Sequence, residues 1–413
     1  MVELGPPYPA IGNVILEMIA PPQSADIWDV AVWGTDSWSG AAVWDVAVWG
    51  VATWLDNDWL DVTPESMHVK YSWGADTGAL GVLSMTVAGH LIINTYDPLR
   101  ILDPSNPNSP VVGTLRPGTP LQLRFAGPTE GRTVKVAAID TINYSINTQR
   151  GLITAIDGVS KLAAIKLPAG LTGMPPQLLE AANWVLEKAG ITSMDAAIVA
   201  AGGNPIIGAP IAEEASAWDW LNTLGLDVRY GVSLIPLESI GTDLVRERVL
   251  FTRYTVPTDL GLAIGGAGIP LDDVDVEKSR EGLYSRIIAY DTGAPSTPVL
   301  ASDLNAEDDY GIAVFERTRP VPNAASWVSN VLADRKDASA QYILGTLRPR
   351  VEEEIVALLD TFHLCVAHLN IALRDDANGM LSPAIIESVN VIGAQFEAHT
   401  QAGWSARLIT YVP

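Results

Sequence analysis

The segment HLCVAH sets His363, Cys365 and His368 within six residues, and these side-chain types could ligate a transition metal or pair a thiol with a base. On a strand, His363 and Cys365 share a face and His368 does not, and no fourth ligand stands at metal-site spacing. The segment therefore reads as a buried thiol with satisfied or exposed histidines. A second candidate, DPSNPNS at 103–109, offers oxygen ligands at alternating positions but lacks the central glycine and closing glutamate of a calcium-binding EF-hand. Asx turns explain it better.

The acidic clusters LDDVDVE at 271–277 and NAEDDYG at 305–311 read as solvated loops first and cation sites second. Glycine-rich pieces, AAGGN ending at Asn204 and IGGAG at 264–268, match neither a dinucleotide fingerprint nor a phosphate-binding loop. There is no G-x-S-x-G elbow and no H-E-x-x-H helix. No particular carboxylate pair is nominated for glycoside hydrolysis. No catalytic residue, metal site or cofactor is expected.

Another concentration of chemistry is aromatic. Seven of the thirteen tryptophans, Trp28, Trp33, Trp38, Trp44, Trp49, Trp54 and Trp59, fall near the start of the chain, around the repeated WDVAVWG at 28–34 and 44–50. Exposed tryptophan faces can stack on sugars, but tryptophan is also a leading hot-spot residue of protein interfaces. Burial in an assembly or core is the favoured reading, and carbohydrate contact the alternative.

The elements that must carry these residues are mostly strands. Within each WDVAVWG the residues alternate between two faces, predicting two short strands joined through TDSWSG. Alternation continues through MHVKYSW, GVLSMTVAGHLIIN, PLQLRF, RTVKVAAI and RGLITAID, which predict a small antiparallel barrel. PPQLLEAANWVLEKAG places Leu178, Ala182, Val185 and Ala189 on one helical stripe that ends at Gly190, and SAWDWLNTLG predicts a second helix with Ser216 as N-cap and Gly225 as stop. GLDVRYGVSLIPL reads as a hairpin. RERVLFTRYTV, LYSRIIAYDTG and GIAVFERT are further strands. KDASAQYILGTL predicts a helix at 336–347, RPRVEEEIVALL a strand alternating at Val351, Glu353 and Ile355, and the last strands AIIESVNVIGAQFEAH and WSARLITYV meet at TQAG.

The expected architecture is mainly β: two small antiparallel β-barrel domains with α+β domains between them. Boundaries fall at 1–62 for the tryptophan-rich interface segment, 63–168 for a first barrel, 169–238 for an α+β insertion, 239–345 for a β-rich middle domain ending in a helix, and 346–413 for a second barrel. Length alone favours several cores, since 413 residues exceed what one usually supports. Hydrophobic residues at 48% and charged residues at 18% describe a globular chain, not a disordered one. A single cysteine excludes an intrachain disulfide and fits a reducing cytoplasm. Neither a signal peptide nor a membrane span is expected. The formal charge of −23 opposes gripping nucleic acid through its phosphates, yet suits a passage along which DNA slides without sticking.

Four stretches carry a resemblance: WDVAVWGTDSWSGAAVWDVAVWG, GHLIINTYDPLRILDPSNPNSPVVGTLRPGTPLQLRF, KDASAQYILGTLRPRVEEEIVAL and VNVIGAQFEAHTQAGWSARLITYVP. Their order resembles the tail-tip (baseplate) hub, or minor tail, proteins of siphophages that infect actinobacteria. The resemblance implies a structural virion protein rather than an enzyme. In that family two related barrels from each of three subunits form a ring of pseudo-sixfold symmetry that adapts the tail tube and distal tail ring to a threefold tip. The partners so implied are two further copies of the chain, the distal tail protein, the tail tube and other tail-tip proteins, with phage DNA passing without specific binding. The implied location is the distal end of the virion tail, assembled in the host cytoplasm.

Overall fold

A computed structural model of the chain describes residues 13–19, 37–38, 42–43, 59–74, 90–126, 131–199, 203–211, 213–236, 247–253, 258–264, 268–270, 274–277, 283–335, 341–349, 351–363, 367–373, 385–399 and 403–411. The architecture is mainly β with α+β units inserted, as the alternation implied.

The chain opens with β1 (Asn13–Ile19), the paired dipeptides β2 (Ser37–Trp38) and β3 (Ala42–Val43), and β4 (Trp59–Asp61). Then come β5 (Ser66–Gly74), β6 (His90–Tyr96), β7 (Pro120–Ala126), β8 (Gly131–Ser145) and β9 (Arg150–Ile156). Alternation sorts these strands onto two faces. Met67, Val69, Leu91, Ile93, Leu121, Leu123 and Ile153 are buried, whereas Ile92, Asn94 and Leu152 are exposed. The fifteen-residue β8 pairs through residues 131–138 with β7 and through 138–145 with β9, sharing only Ala138. Changing partners halfway curls the sheet around its core.

The second unit follows: α1 (Gly158–Ala164), β10 (Lys166–Leu167), α2 (Leu178–Lys188), β11 (Met194–Ile198), β12 (Ala215–Ser216), α3 (Ala217–Asp227), β13 (Tyr230–Pro236) and β14 (Glu247–Arg253). The predicted stripe of α2 is buried at Leu178, Ala182 and Val185, and Gly190 closes the helix at φ +71°. Ser216 caps α3 in a full capping box with Asp219. The predicted stop at Gly225 is corrected: α3 runs on to Asp227, and a Cβ at 225 would lie 2.7 Å from the Tyr230 carbonyl oxygen. Gly225 permits helix and strand to touch. The predicted hairpin after it is a single strand, β13, entered through Arg229 at φ +65°.

Further along lie β15 (Thr258–Ile264) and β16 (Val274–Glu277), then a third unit of β17 (Arg286–Asp291), β18 (Ala294–Ser302), α4 (Leu304–Tyr310), β19 (Val314–Val321) and α5 (Ala324–Arg335). α5 packs on the sheet β18-β17-β19 through Trp327, Val328 and Val331. The last elements are β20 (Gln341–Leu347), α6 (Glu352–His363), β21 (Ala367–Leu373), β22 (Ile385–His399) and β23 (Gly403–Tyr411). Two predictions fail here. Residues 341–347 of the expected helix are β20, and the expected strand at VEEEIVALL is α6. Three glutamates in the first turn suit the positive end of a helix dipole, and Ile355, Leu358 and Leu359 form a buried helical stripe.

The early and late strands form one thirteen-stranded sheet, with β16-β20-β23-β22-β5-β6-β9-β8-β7-β1-β4 as its main path. Among the described residues, β5–β22 is the only pairing that joins strands before residue 157 to those after 257. Phe125 and Trp404 meet edge-to-face across the shared core, centroids 5.7 Å apart. Burying side chains of this size is worth about 1.5–3 kcal/mol each before entropy is counted.

Candidate assembly surface

Among the described residues β4 pairs only with β1, and β16 only with β20, so each presents unpaired backbone donors and acceptors. Trp59, opposite Ile19 on β4, therefore stands half-buried on an edge. Of the other predicted interface tryptophans, Trp38 lies on β2, with only its backbone described, and Trp28, Trp33, Trp44, Trp49 and Trp54 lie outside the described residues, as do both WDVAVWG copies.

Behind the edge a polar row interrupts the apolar pattern. Glu17 on β1 opposes Gln122 on β7, and its carboxylate accepts from Gln122 Nε2 at 2.5 Å and Arg124 Nη1 at 3.1 Å. Another polar group marks the β5–β22 seam, where Glu397 takes Lys70 Nζ at 2.8 Å on Oε1 and lies 3.4 Å from His68 Nε2 through Oε2. Burial raises the Glu397 pKa, but the Lys70 hydrogen bond and charge, aided by His68, outweigh it and hold the carboxyl below its ordinary value.

The turn-rich segment between β6 and β7 contains the calcium-loop candidate. Asp103 is buried, and both its oxygens have protein donors: Ser105 N and Oγ on Oδ1, the Arg100 guanidinium on Oδ2. Asn106 Oδ1 accepts from Asn108 N in a second Asx turn. The segment is folded by its own side chains.

The second and third units meet at a buried charge. Asp227, fully buried at the end of α3, takes the Arg317 guanidinium on Oδ1, and Arg319 Nη1 lies 2.7 Å from Oδ2. Burial raises the Asp227 pKa, and the two guanidinium groups oppose that shift without cancelling it. Both arginines lie on β19; the predicted strand GIAVFERT includes Arg317 and stops one residue short of Arg319.

The chemical candidates are dispersed. His363 ends α6 and His368 lies on β21, so HLCVAH is not one strand; Cys365 lies outside the described residues. NAEDDYG is corrected from loop to helix α4, N-capped by Asp303, and the part of LDDVDVE at 274–277 is strand β16. Asn204 of the glycine-rich AAGGN caps α2 from afar, accepting from Leu179 N at 3.0 Å. Among the described residues no three metal-ligating side chains converge, and no helix is long and apolar enough to cross a membrane.

Residues that sequence reasoning missed, Asp227, Arg317, Glu17 and Glu397, are polar side chains whose partners lie far away in the chain. Their signal was weak. The two-residue spacing of Arg317 and Arg319 on a strand does place two charges together, but nothing in it names Asp227.

No protein-family model and no curated protein matches the chain. Among solved structures the fold is similar to the tail protein from Neisseria meningitidis MC58, at 14% identity and a TM-score of 0.51, covering 86% of this chain and 94% of that one. Two others are the prophage MuSo2 43 kDa tail protein from Shewanella oneidensis (12% identity, TM-score 0.49, 87% and 97% covered) and prophage tail protein gp18 from Listeria monocytogenes EGD-e (11%, 0.45, 86% and 91%). At 14% identity the likeness is one of fold: the chain carries the fold of the Neisseria tail protein over most of both lengths.

Proposed function

We propose that the chain is a structural virion protein, the homotrimeric tail-tip hub of a siphophage that infects actinobacteria. The observation that supports this reading is the fold shared with the tail protein from Neisseria meningitidis MC58 across 86% of the chain. Open strand edges supply surfaces for neighbouring subunits, the distal tail protein and the tail tube. The tryptophan-rich head supplies anchors that bury apolar area at such contacts. Three copies carry roughly three times the charge of −23, and an acidic lumen repels DNA instead of trapping it through counterion release.

In this reading the chain acts by assembly and by opening a path for the genome, with no reacting group. Light scattering of the purified chain with its tail neighbours, followed by negative-stain electron microscopy of particles, tests it. A threefold ring at the distal end of the tail is expected. A monomer absent from virions sinks the proposal.

A further inference from the structure

We propose that the exposed face of the sheet at β6 and β9, centred on Ile92, Tyr96 and Leu152, docks the tryptophan-rich head, residues 20–58, of a second copy of this chain. The inference rests on the assembly reading above and names the surface that the head meets. Leu152 is the cross-strand partner of Asn94, and Ile92 and Tyr96 lie two residues to either side of Asn94 on β6. Directly opposed residues of an antiparallel pair share a face, and so do residues two apart on one strand, which sets the three apolar side chains side by side. Ile92, Tyr96 and Leu152 are 38%, 39% and 36% exposed, on strands whose opposite face is core. Single exposed apolar residues are ordinary, whereas a contiguous group of large ones marks a contact surface.

Charge selects the occupant. Lys70 is the cross-strand partner of Ile92 and Arg150 that of Tyr96, so a cation flanks the apolar group on each side. Lys70 is engaged by Glu397 of the next strand, and Arg150 stands exposed. In a chain with 48 acidic residues, β5, β6, β9 and β8 from Thr141 onward contain no aspartate or glutamate. The head is the complement of that face: residues 20–58 hold six tryptophans, six aspartates and no lysine, arginine, histidine or glutamate. Indole rings cover apolar area at low entropic cost, and carboxylates make charge-assisted hydrogen bonds with a guanidinium.

The ends of the head say which copy supplies it. Ile19 and Trp59, on either side of it, are cross-strand partners, so the head leaves and re-enters the sheet at one point on the β1–β4 edge. β7 and β8 stand between β1 and the docking strand β9. The face is exposed within a single chain, so the head that covers it belongs to a neighbour. A head anchored at one edge and seated on another copy's face makes a heterologous contact, the kind that closes into a ring.

The test uses full-length chains in sedimentation velocity. A face variant carries Arg150→Glu with Leu152→Asn, and a head variant carries Trp44→Ala with Trp49→Ala. Each alone is expected to self-associate at least tenfold more weakly than wild type, with its melting temperature within a degree or two. Mixed in equal amounts, the two form a 1:1 complex that grows no further, because one contributes a sound head and the other a sound face. Hydroxyl-radical labelling of the wild-type chain requires no variant to fold, and Tyr96 should become protected as chains associate. A face variant that associates like wild type, Tyr96 labelling that does not change, a mixture that stays monomeric, or a wild-type chain that never associates overturns the docking. A threefold ring still present on virions carrying the face variant would sink this inference and leave the tail-tip reading standing.

Discussion

Arg319 Nη1 lies 2.7 Å from Asp227 Oδ2, and the two side chains are 10% and 0% exposed, so the second and third units share a charge pair sealed from water. Arg317 contributes a second guanidinium to the same carboxylate. Alanine at 227 leaves two positive groups buried without their counter-charge, and removing one partner of a buried pair costs about 3–5 kcal/mol. Urea denaturation of Asp227→Ala should show that loss, with the third unit unfolding ahead of the rest. A loss under about 1 kcal/mol, the range of exposed pairs, would mean that water reaches the joint.

Gly225 sets two effects against each other. Alanine is favoured over glycine within a helix by about 1 kcal/mol. Its Cβ, however, would lie 2.7 Å from the Tyr230 carbonyl oxygen and 2.9 Å from Val232 Cγ2, so α3 must move off β13. Overpacking of this kind costs about 1–3 kcal/mol, and the clash with backbone should win. Gly225→Ala is thus expected to lower the melting temperature, whereas an unchanged or raised value would show that α3 shifts freely.

These two sites also mark what was readable in the residues. Alternation reported β5, β6, β7 and β9 because each buries one face, and period-2 burial leaves a period-2 sequence. The α6 segment fits two templates, since Val351, Glu353 and Ile355 satisfy a strand while Ile355, Leu358 and Leu359 satisfy a helix; length and the glutamate run settle the choice. Asp303 N-caps α4, whereas the acidic run behind it fits a solvated loop equally well by composition. Pairing was not readable at all. Nothing in MHVKYSW says that its neighbour is β22, more than three hundred residues away, because alternation fixes faces and leaves partners open. The joint at Asp227 is hidden for the same reason.

Asp103 predicts an acid response with a definite sign. Burial pushes its pKa up, but hydrogen bonds from Ser105 and the Arg100 guanidinium together hold the folded carboxyl below its ordinary value. A depressed carboxylate contributes stability that is complete above the unfolded pKa of about 4 and is lost as pH falls through the folded value. Wild type should therefore exceed Asp103→Asn in melting temperature at pH 7, and the gap should close between about pH 4 and pH 2. A gap that stays constant over that window would assign the difference to shape and not to charge.

The tryptophan head predicts a difference between the isolated chain and the assembly. If Trp44 and Trp49 anchor contacts with neighbouring subunits, truncating them removes apolar area that is buried only on association. Trp44→Ala with Trp49→Ala should weaken trimer formation at least tenfold by analytical ultracentrifugation. The melting temperature of the isolated chain should stay within a degree or two. In the wild type, tryptophan emission should shift to the blue as trimers form, since indole leaves water. Host-wall glycans added to the isolated chain should leave emission unchanged. Saturable quenching by those glycans, with trimer formation unaffected by the double substitution, would move the head from subunit contact to sugar contact.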